Sequence, residues 1–211
     1  MGTAIQAAGG KVRPGECRVP RRFLLAMLLA AWAFPALPQQ PTIALLGDSF
    51  AVGLAPYVKA KVQRTVVGGS VQYFWEDTPG IDALTHVIVV LGTNDSLEYG
   101  LENSVAYTHQ VGRIVTNLTQ RGREVLWVGP PCILPGHTTL SDERVREVDA
   151  LQQETMARLG LPRAHHVSLR PMTERGGICS SDNREPDQVH FTPRGYEAVT
   201  RFILSQLTQV P

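Results

Sequence analysis

The strongest constraint on this chain is a regular alternation of short apolar runs with longer helical stretches, which starts at residue 42. The apolar runs are rich in β-forming residues and end in Gly, Pro or polar clusters, and they predict strands at 42–46, 65–67, 86–91, 124–128 and 164–168. The intervening stretches predict helices near 51–63, 102–121, 142–159 and 194–208. Strands that alternate with helices pair in parallel, so we expect an α/β fold with a five-stranded parallel sheet.

Two of these runs indicate how the sheet is covered. Residues 86–91 (HVIVVL) and 124–128 (EVLWV) carry almost no polar alternation, which is typical of strands buried on both faces. Helices should therefore cover both sides of the sheet. In such sheets ligands bind beyond the carboxyl ends of the strands, so reactive side chains are expected there.

Length and charge exclude some classes of protein. A chain of 211 residues is long enough for one sizeable core. It carries 20 basic and 19 acidic side chains, a net charge of +1. With no basic excess to neutralise phosphates, we do not expect a nucleic-acid partner.

The pattern of the N-terminal segment predicts an export signal. Three arginines precede an apolar run at 23–34, which is shorter than the roughly 20 residues that a spanning helix needs. We expect residues 1–37 to be a lead-in with a signal peptide or signal anchor, and 38–211 to be a single domain. The protein is then periplasmic or extracellular, and it contacts the membrane only through this segment. A buried core helix is the alternative.

Three cysteines occur in the chain. Cys17 lies in the lead-in, which leaves Cys132 and Cys179 in the mature part. Export would permit a disulfide between these two. Two unpaired thiols are an equally open alternative, because pairing depends on geometry that the sequence does not give.

Residues able to carry chemistry follow the predicted strands. Ser49 comes directly after the first strand, a Gly-Gly pair after the second, Asn94 after the third, and an Asp-x-x-His sequence before the last helix. In chain order the candidates are Ser49, Gly68 or Gly69, Asn94, Asp187 and His190. Each motif alone is commonly just a turn, but all of them fall where the sheet should gather them at one edge.

These residue types suit nucleophilic attack on a carbonyl. A serine hydroxyl needs a base to remove its proton, and His190 is the candidate base for Ser49. Asp187 could orient the imidazole ring and stabilise its charged form. The negative charge of a tetrahedral intermediate would then need hydrogen-bond donors. The candidates are the backbone N–H of Ser49 at a helix N-terminus, that of Gly68 or Gly69, and the side-chain amide of Asn94.

Together these blocks resemble the SGNH hydrolases, also called the GDSL lipase/esterase superfamily. The resemblance runs from residue 42 to about 207 and rests on LLGDS at 45–49, VLGTND at 90–95, VGPP at 128–131 and DQVHFTPRGY at 187–196. It implies a flavodoxin-like three-layer α/β/α sandwich and no metal or organic cofactor. Of the two glycines, Gly68 is favoured because it lies nearer the strand.

The resemblance also implies an activity. We expect a serine ester hydrolase that forms an acyl-enzyme and releases a short acyl group, such as acetyl, from a glycan or a small ester. An extracytoplasmic O-acyltransferase that uses the same acyl-enzyme is the first alternative. A carbohydrate-binding module on a retired hydrolase scaffold is the second, and the sequence does not address the oligomeric state.

Overall fold

The computed structural model describes residues 40–73, 75–98 and 103–207. The expected signal segment at 1–37 and Cys17 lie outside the described residues, so export remains an expectation. Residues from Pro41 onward belong to one compact unit. Among the described residues, no helix has the length and apolarity needed to cross a bilayer.

A five-stranded parallel sheet forms the centre of this unit, as the sequence predicts. Its strands in the order 2-1-3-4-5 match the flavodoxin-like arrangement. The strand bounds are β1 Ile43–Gly47, β2 Val62–Thr65, β3 His86–Val90, β4 Glu124–Val128 and β5 Ala164–Val167. A second sheet of two short antiparallel strands, β6 Glu174–Arg175 and β7 Ile178–Cys179, follows β5 in the chain.

Helices lie on both faces of the large sheet. They are α1 Ser49–Leu54, α2 Asp95–Glu98, α3 Ser104–Thr119, α4 Asp142–Leu159, α5 Arg170–Thr173 and α6 Pro193–Leu207. Short 3-10 turns occur at Trp75–Asp77, Ile81–Ala83 and Gln120–Gly122. Because successive side chains of a strand point to opposite faces, each face of the sheet has its own apolar core.

The two cores give the fold its three layers. On one face, the neighbouring side chains of Leu45, Ile88 and Leu126 belong to a cluster that includes residues of α1 and α6. On the other face, Leu46 and Trp127 belong to a cluster that includes residues of α3 and α4. The three-layer sandwich is therefore confirmed. Burying these large side chains on both faces supplies most of the driving force for folding.

Two predicted boundaries are wrong. The second strand is Val62–Thr65 rather than 65–67, because this edge strand is polar and half buried, whereas the more apolar Val67 is 75% exposed in the loop beyond it. The first helix ends at Leu54 rather than near 63. Pro56 has no backbone N–H to donate, so the helical ladder of hydrogen bonds cannot continue through it.

Candidate active site

A close crossing of backbones places Ser49 at the sheet edge. Gly47 has φ +148°, and a Cβ there would lie 2.2 Å from the carbonyl oxygen of Val90, so only glycine fits this approach. The N–H of Asp48 donates to the same oxygen at 3.1 Å. Asp48 then caps α1, because its Oδ1 accepts from the N–H of Phe50 at 2.9 Å. Ser49 thus begins α1 at the carboxyl end of β1.

Ser49, His190 and Asp187 form a continuous hydrogen-bonded chain. The Nε2 of His190 lies 2.8 Å from the Oγ of Ser49, and its Nδ1 lies 2.6 Å from Oδ2 of Asp187. The other carboxylate oxygen of Asp187 accepts from the N–H groups of Val189 and His190, both at 2.9 Å. The structure therefore brings the predicted nucleophile, base and orienting carboxylate into direct contact.

The hydrogen bonds of Asp187 control its charge. Partial burial would raise its pKa, but the bonds from His190 and from the backbone N–H of Val189 outweigh this and lower the pKa below its ordinary value. Asp187 is therefore ionised at neutral pH. As an acceptor only, it selects the His190 tautomer that carries its proton on Nδ1, which leaves Nε2 free to accept from a serine hydroxyl.

Tight packing between α1 and α6 aligns the serine with the histidine. A Cβ at Gly53 would lie 2.0 Å from Cζ of Tyr196, so the two helices approach closely at this glycine. The ring of Phe50 lies 5.2 Å from the ring of His190 and 5.6 Å from that of Phe191, measured between centroids. Residues adjacent to Ser49 and His190 are thus locked in one aromatic cluster.

Arg184 stabilises the histidine loop, which consists of residues 187–190. This buried guanidinium donates to the carbonyl oxygens of Val189 at 2.5 Å and Cys132 at 2.8 Å. It also lies 4.2 Å from the centroid of the Phe191 ring. Burial lowers the pKa of Arg184 to about 10, so it remains charged at neutral pH. Arg184 could not be predicted from the sequence, because the segment at 180–186 carries no motif that marks it.

A disulfide joins Cys132 and Cys179, whose Cα atoms are 5.6 Å apart. Cys132 follows β4 and Cys179 ends β7. Arg184 donates to the carbonyl oxygens of both Cys132 and Val189, so it links the crosslink to the histidine loop. Of the two states left open by the sequence, the structure therefore contains the bonded one.

Asn94 and the pair Gly68–Gly69 lie together beside residues 47–49, which form the serine turn. The Nδ2 of Asn94 donates to the carbonyl of Gly69 at 3.0 Å and, more weakly, to Oδ2 of Asp48 at 3.5 Å. The N–H of Gly69 is engaged in a turn with the carbonyl of Val66 at 2.9 Å. Gly68, with φ +75°, therefore fits the role of an available backbone donor better than Gly69.

Two buried carboxyl groups underlie this arrangement. Burial is the main cause that raises the pKa of Asp48 to about 8 and that of Asp95 to about 7. Asp95 accepts from the N–H of Val71 at 2.8 Å, which ties the loop after β2 to the start of α2. Both residues hold the turns that carry Ser49 and Asn94. The described residues contain no group of three or more His, Cys, Asp or Glu side chains able to hold a metal ion.

Comparison with solved structures places the fold among known hydrolases. A lipase/acylhydrolase from Enterococcus faecalis superposes with a TM-score of 0.64 at 16% identity, covering 81% of this chain and 96% of the other. An aryl esterase from M. smegmatis gives 0.58 at 14% identity, covering 81% and 100%. A carbohydrate acetylesterase from Sinorhizobium meliloti gives 0.55 at 14% identity, covering 82% and 100%. At these identities the likeness shows the fold alone.

Sequence comparison identifies the family. No curated protein matches the chain. The model of the GDSL-like lipase/acylhydrolase family, however, matches residues 37–198, which is most of the chain. The matched range includes the serine turn, the Asn94 loop and the Asp187–His190 loop. The chain belongs to the GDSL-like lipase/acylhydrolase family, a family of ester-hydrolysing enzymes.

Proposed function

We propose that the protein is a serine ester hydrolase in which Ser49 is the nucleophile, His190 the general base and Asp187 the residue that orients His190. One observation carries this proposal: the Ser49 Oγ, the His190 ring and the Asp187 carboxylate are linked by contacts of 2.8 Å and 2.6 Å. These distances lie within the reach required of a nucleophile–base pair and its orienting group.

The first half of the reaction acylates the serine. As Oγ of Ser49 attacks the ester carbonyl carbon, its proton passes to Nε2 of His190, and the ester C=O becomes an oxyanion. Asp187 stabilises the imidazolium through Nδ1–H. The oxyanion collapses to an acyl-serine ester, the bond from the carbonyl carbon to the alcohol oxygen breaks, and His190 returns its proton to the departing alcohol.

The second half regenerates the enzyme. His190 removes a proton from water, the resulting nucleophile attacks the acyl-serine carbonyl, and collapse of this intermediate returns the proton to Oγ of Ser49 and releases the acid. In both halves the oxyanion would accept hydrogen bonds from the N–H groups of Ser49 and Gly68 and from Nδ2 of Asn94. The oxyanion would replace Asp48 Oδ2, the weaker 3.5 Å acceptor of that amide. Such preorganised donors act where the negative charge develops.

We further propose that the acyl group is short, such as acetyl, and that the alcohol is a glycan or a small molecule. The side chain of His190 is 33% exposed and Ser49 is partly exposed, so the reacting atoms are accessible to an ester carried by a large molecule. A carbohydrate acetylesterase is among the structural neighbours, which agrees with this choice of substrate.

We also propose that the protein is exported. The expected signal at 1–37 is the basis, and the disulfide between Cys132 and Cys179 supports it, because structural disulfides persist in oxidising compartments. Fusion of residues 1–40 to a reporter enzyme that is active only after export tests this point. A reporter retained in the cytoplasm would contradict it.

Turnover of p-nitrophenyl esters of increasing acyl length tests the catalytic proposal. We expect acetate to be preferred over longer chains, and Ser49→Ala to abolish turnover while far-UV and near-UV circular dichroism stay unchanged. Asn94→Ala should lower kcat by about 10²–10³-fold, the usual cost of losing one oxyanion donor. A folded Ser49→Ala protein that retains wild-type activity would overturn the proposal.

A further inference from the structure

A cavity of about 370 Å³ opens beside Gly68. It is lined by Arg64, Gly68, Ser70, Gln72, Tyr73 and Glu98. We propose that this cavity is a subsite for one sugar residue of the alcohol part of the ester. The inference rests on the proposed function, because Gly68, which lines the cavity, is one of the proposed oxyanion donors.

The lining has the chemistry that a sugar requires. The amide of Gln72 and the carboxylate of Glu98 supply both donors and acceptors for hydroxyl groups. Tyr73 is 42% exposed and offers a ring face on which the C–H groups of a pyranose can pack. The volume is within the range of about 300–1,000 Å³ of small-molecule sites, and the lining is more polar than is usual for such sites, which suits a ligand rich in hydroxyl groups.

The same lining disfavours the other candidate occupant, an alkyl chain. An acyl chain in this cavity would lie against the charged groups of Arg64 and Glu98 and strip water from them. Desolvating charged and polar groups without new hydrogen bonds is costly. A sugar, in contrast, replaces the lost water with its own hydroxyl groups.

The walls of the cavity are held in place before any ligand arrives. Gln72 donates from Nε2 to Glu98 at 2.9 Å, which joins the loop after β2 to α2. The indole N–H of buried Trp75 donates to the carbonyl of Ser70 at 2.8 Å. The Tyr73 ring rests against that indole, with centroids 5.6 Å apart. A preformed site loses less conformational entropy on binding, which favours recognition of a flexible glycan.

Two substrates separate the subsite from the reaction centre. O-acetylated xylo-oligosaccharide extends into the cavity, whereas p-nitrophenyl acetate lacks a sugar. For Tyr73→Ala and for Gln72→Ala, we expect the ratio of kcat/KM for the oligosaccharide to that for p-nitrophenyl acetate to fall about tenfold, as for the loss of one ring contact or hydrogen bond. Tyr73→Phe keeps the ring and should retain most of the ratio. Gln153→Ala, an exposed glutamine on α4, is the matched control and should leave both values unchanged.

A binding measurement keeps this test independent of the reaction. Calorimetric titration of Ser49→Ala with the same oligosaccharide should show binding, and adding Tyr73→Ala should weaken it about tenfold. An unchanged kcat/KM ratio and unchanged binding in the Tyr73→Ala proteins would overturn the subsite. The subsite would also be overturned if the wild-type enzyme hydrolysed p-nitrophenyl acetate but did not act on the oligosaccharide. Activity of Ser49→Ala on p-nitrophenyl acetate would instead overturn the proposed function.

Discussion

Removing the disulfide should destabilise the protein by an amount that follows from its place in the chain. Cys132 and Cys179 are separated by 47 positions. A crosslink that closes a loop of this length removes about 14 cal/mol/K of entropy from the unfolded chain, which corresponds to about 4 kcal/mol at 25 °C. Domains of this kind are commonly stable by only about 5–15 kcal/mol, so the loss is a large part of the total.

The variant Cys179→Ser isolates this effect. Cys179 is half buried, whereas Cys132 is fully buried, so replacing Cys179 disturbs packing least. The remaining thiol of Cys132 lies 3.2 Å from the carbonyl oxygen of Thr173 and can donate to it, which avoids an unpaired buried group.

Urea unfolding followed by tryptophan fluorescence measures the difference. With an m value of about 2 kcal/mol/M, the midpoint should fall by about 2 M in Cys179→Ser, and the wild-type protein with dithiothreitol should fall by the same amount. The variant serves as its own control, because reductant should not change it further. Equal midpoints for the oxidised wild type and the variant would refute the loop-entropy reasoning.

Two more predictions concern buried ionisable groups. Arg184→Lys loses the planar guanidinium that reaches the carbonyls of Val189 and Cys132. We therefore expect the free energy of unfolding to fall by about 2 kcal/mol and kcat to fall with it. Wild-type values of both quantities would contradict a supporting role for Arg184. Burial raises the pKa of Asp48 to about 8, so between about pH 4 and pH 8 the folded protein holds a proton that the unfolded chain releases. The free energy of unfolding should therefore decline as pH rises through this window, and Asp48→Asn should make the decline shallower. Urea unfolding at a series of pH values measures both proteins. Parallel pH profiles for the wild type and Asp48→Asn would contradict this prediction.

The grouping of the candidate residues could be predicted from sequence because it depends on topology. The carboxyl ends of parallel strands lie at one edge of a sheet, so residues that follow β1 and β3 must be neighbours there. Ser49 and Asn94 occupy these positions, and the Asp187–His190 loop precedes the last helix, whose packing on α1 returns it to the same edge. Spacing and residue type were sufficient for this inference.

Other features depend on contacts that the sequence does not encode locally. Arg184 bonds a carbonyl 52 positions away, and only the folded chain brings the two together. The pairing of Cys132 with Cys179 likewise required distances rather than spacing. The second strand was misplaced because an edge strand with one solvated face has a weak apolar signal, and the exposed Val67 next to it has a strong one.

Covalent labelling with a fluorophosphonate tests most directly whether Ser49 is the nucleophile. Such a reagent forms a stable phosphonyl ester with an activated serine, and peptide mass spectrometry identifies the residue. We predict a single adduct on the peptide that contains Ser49, slower labelling in His190→Ala because the base is absent, and no labelling in Ser49→Ala. An adduct on another residue, or equal labelling of the Ser49→Ala protein, would contradict the assignment.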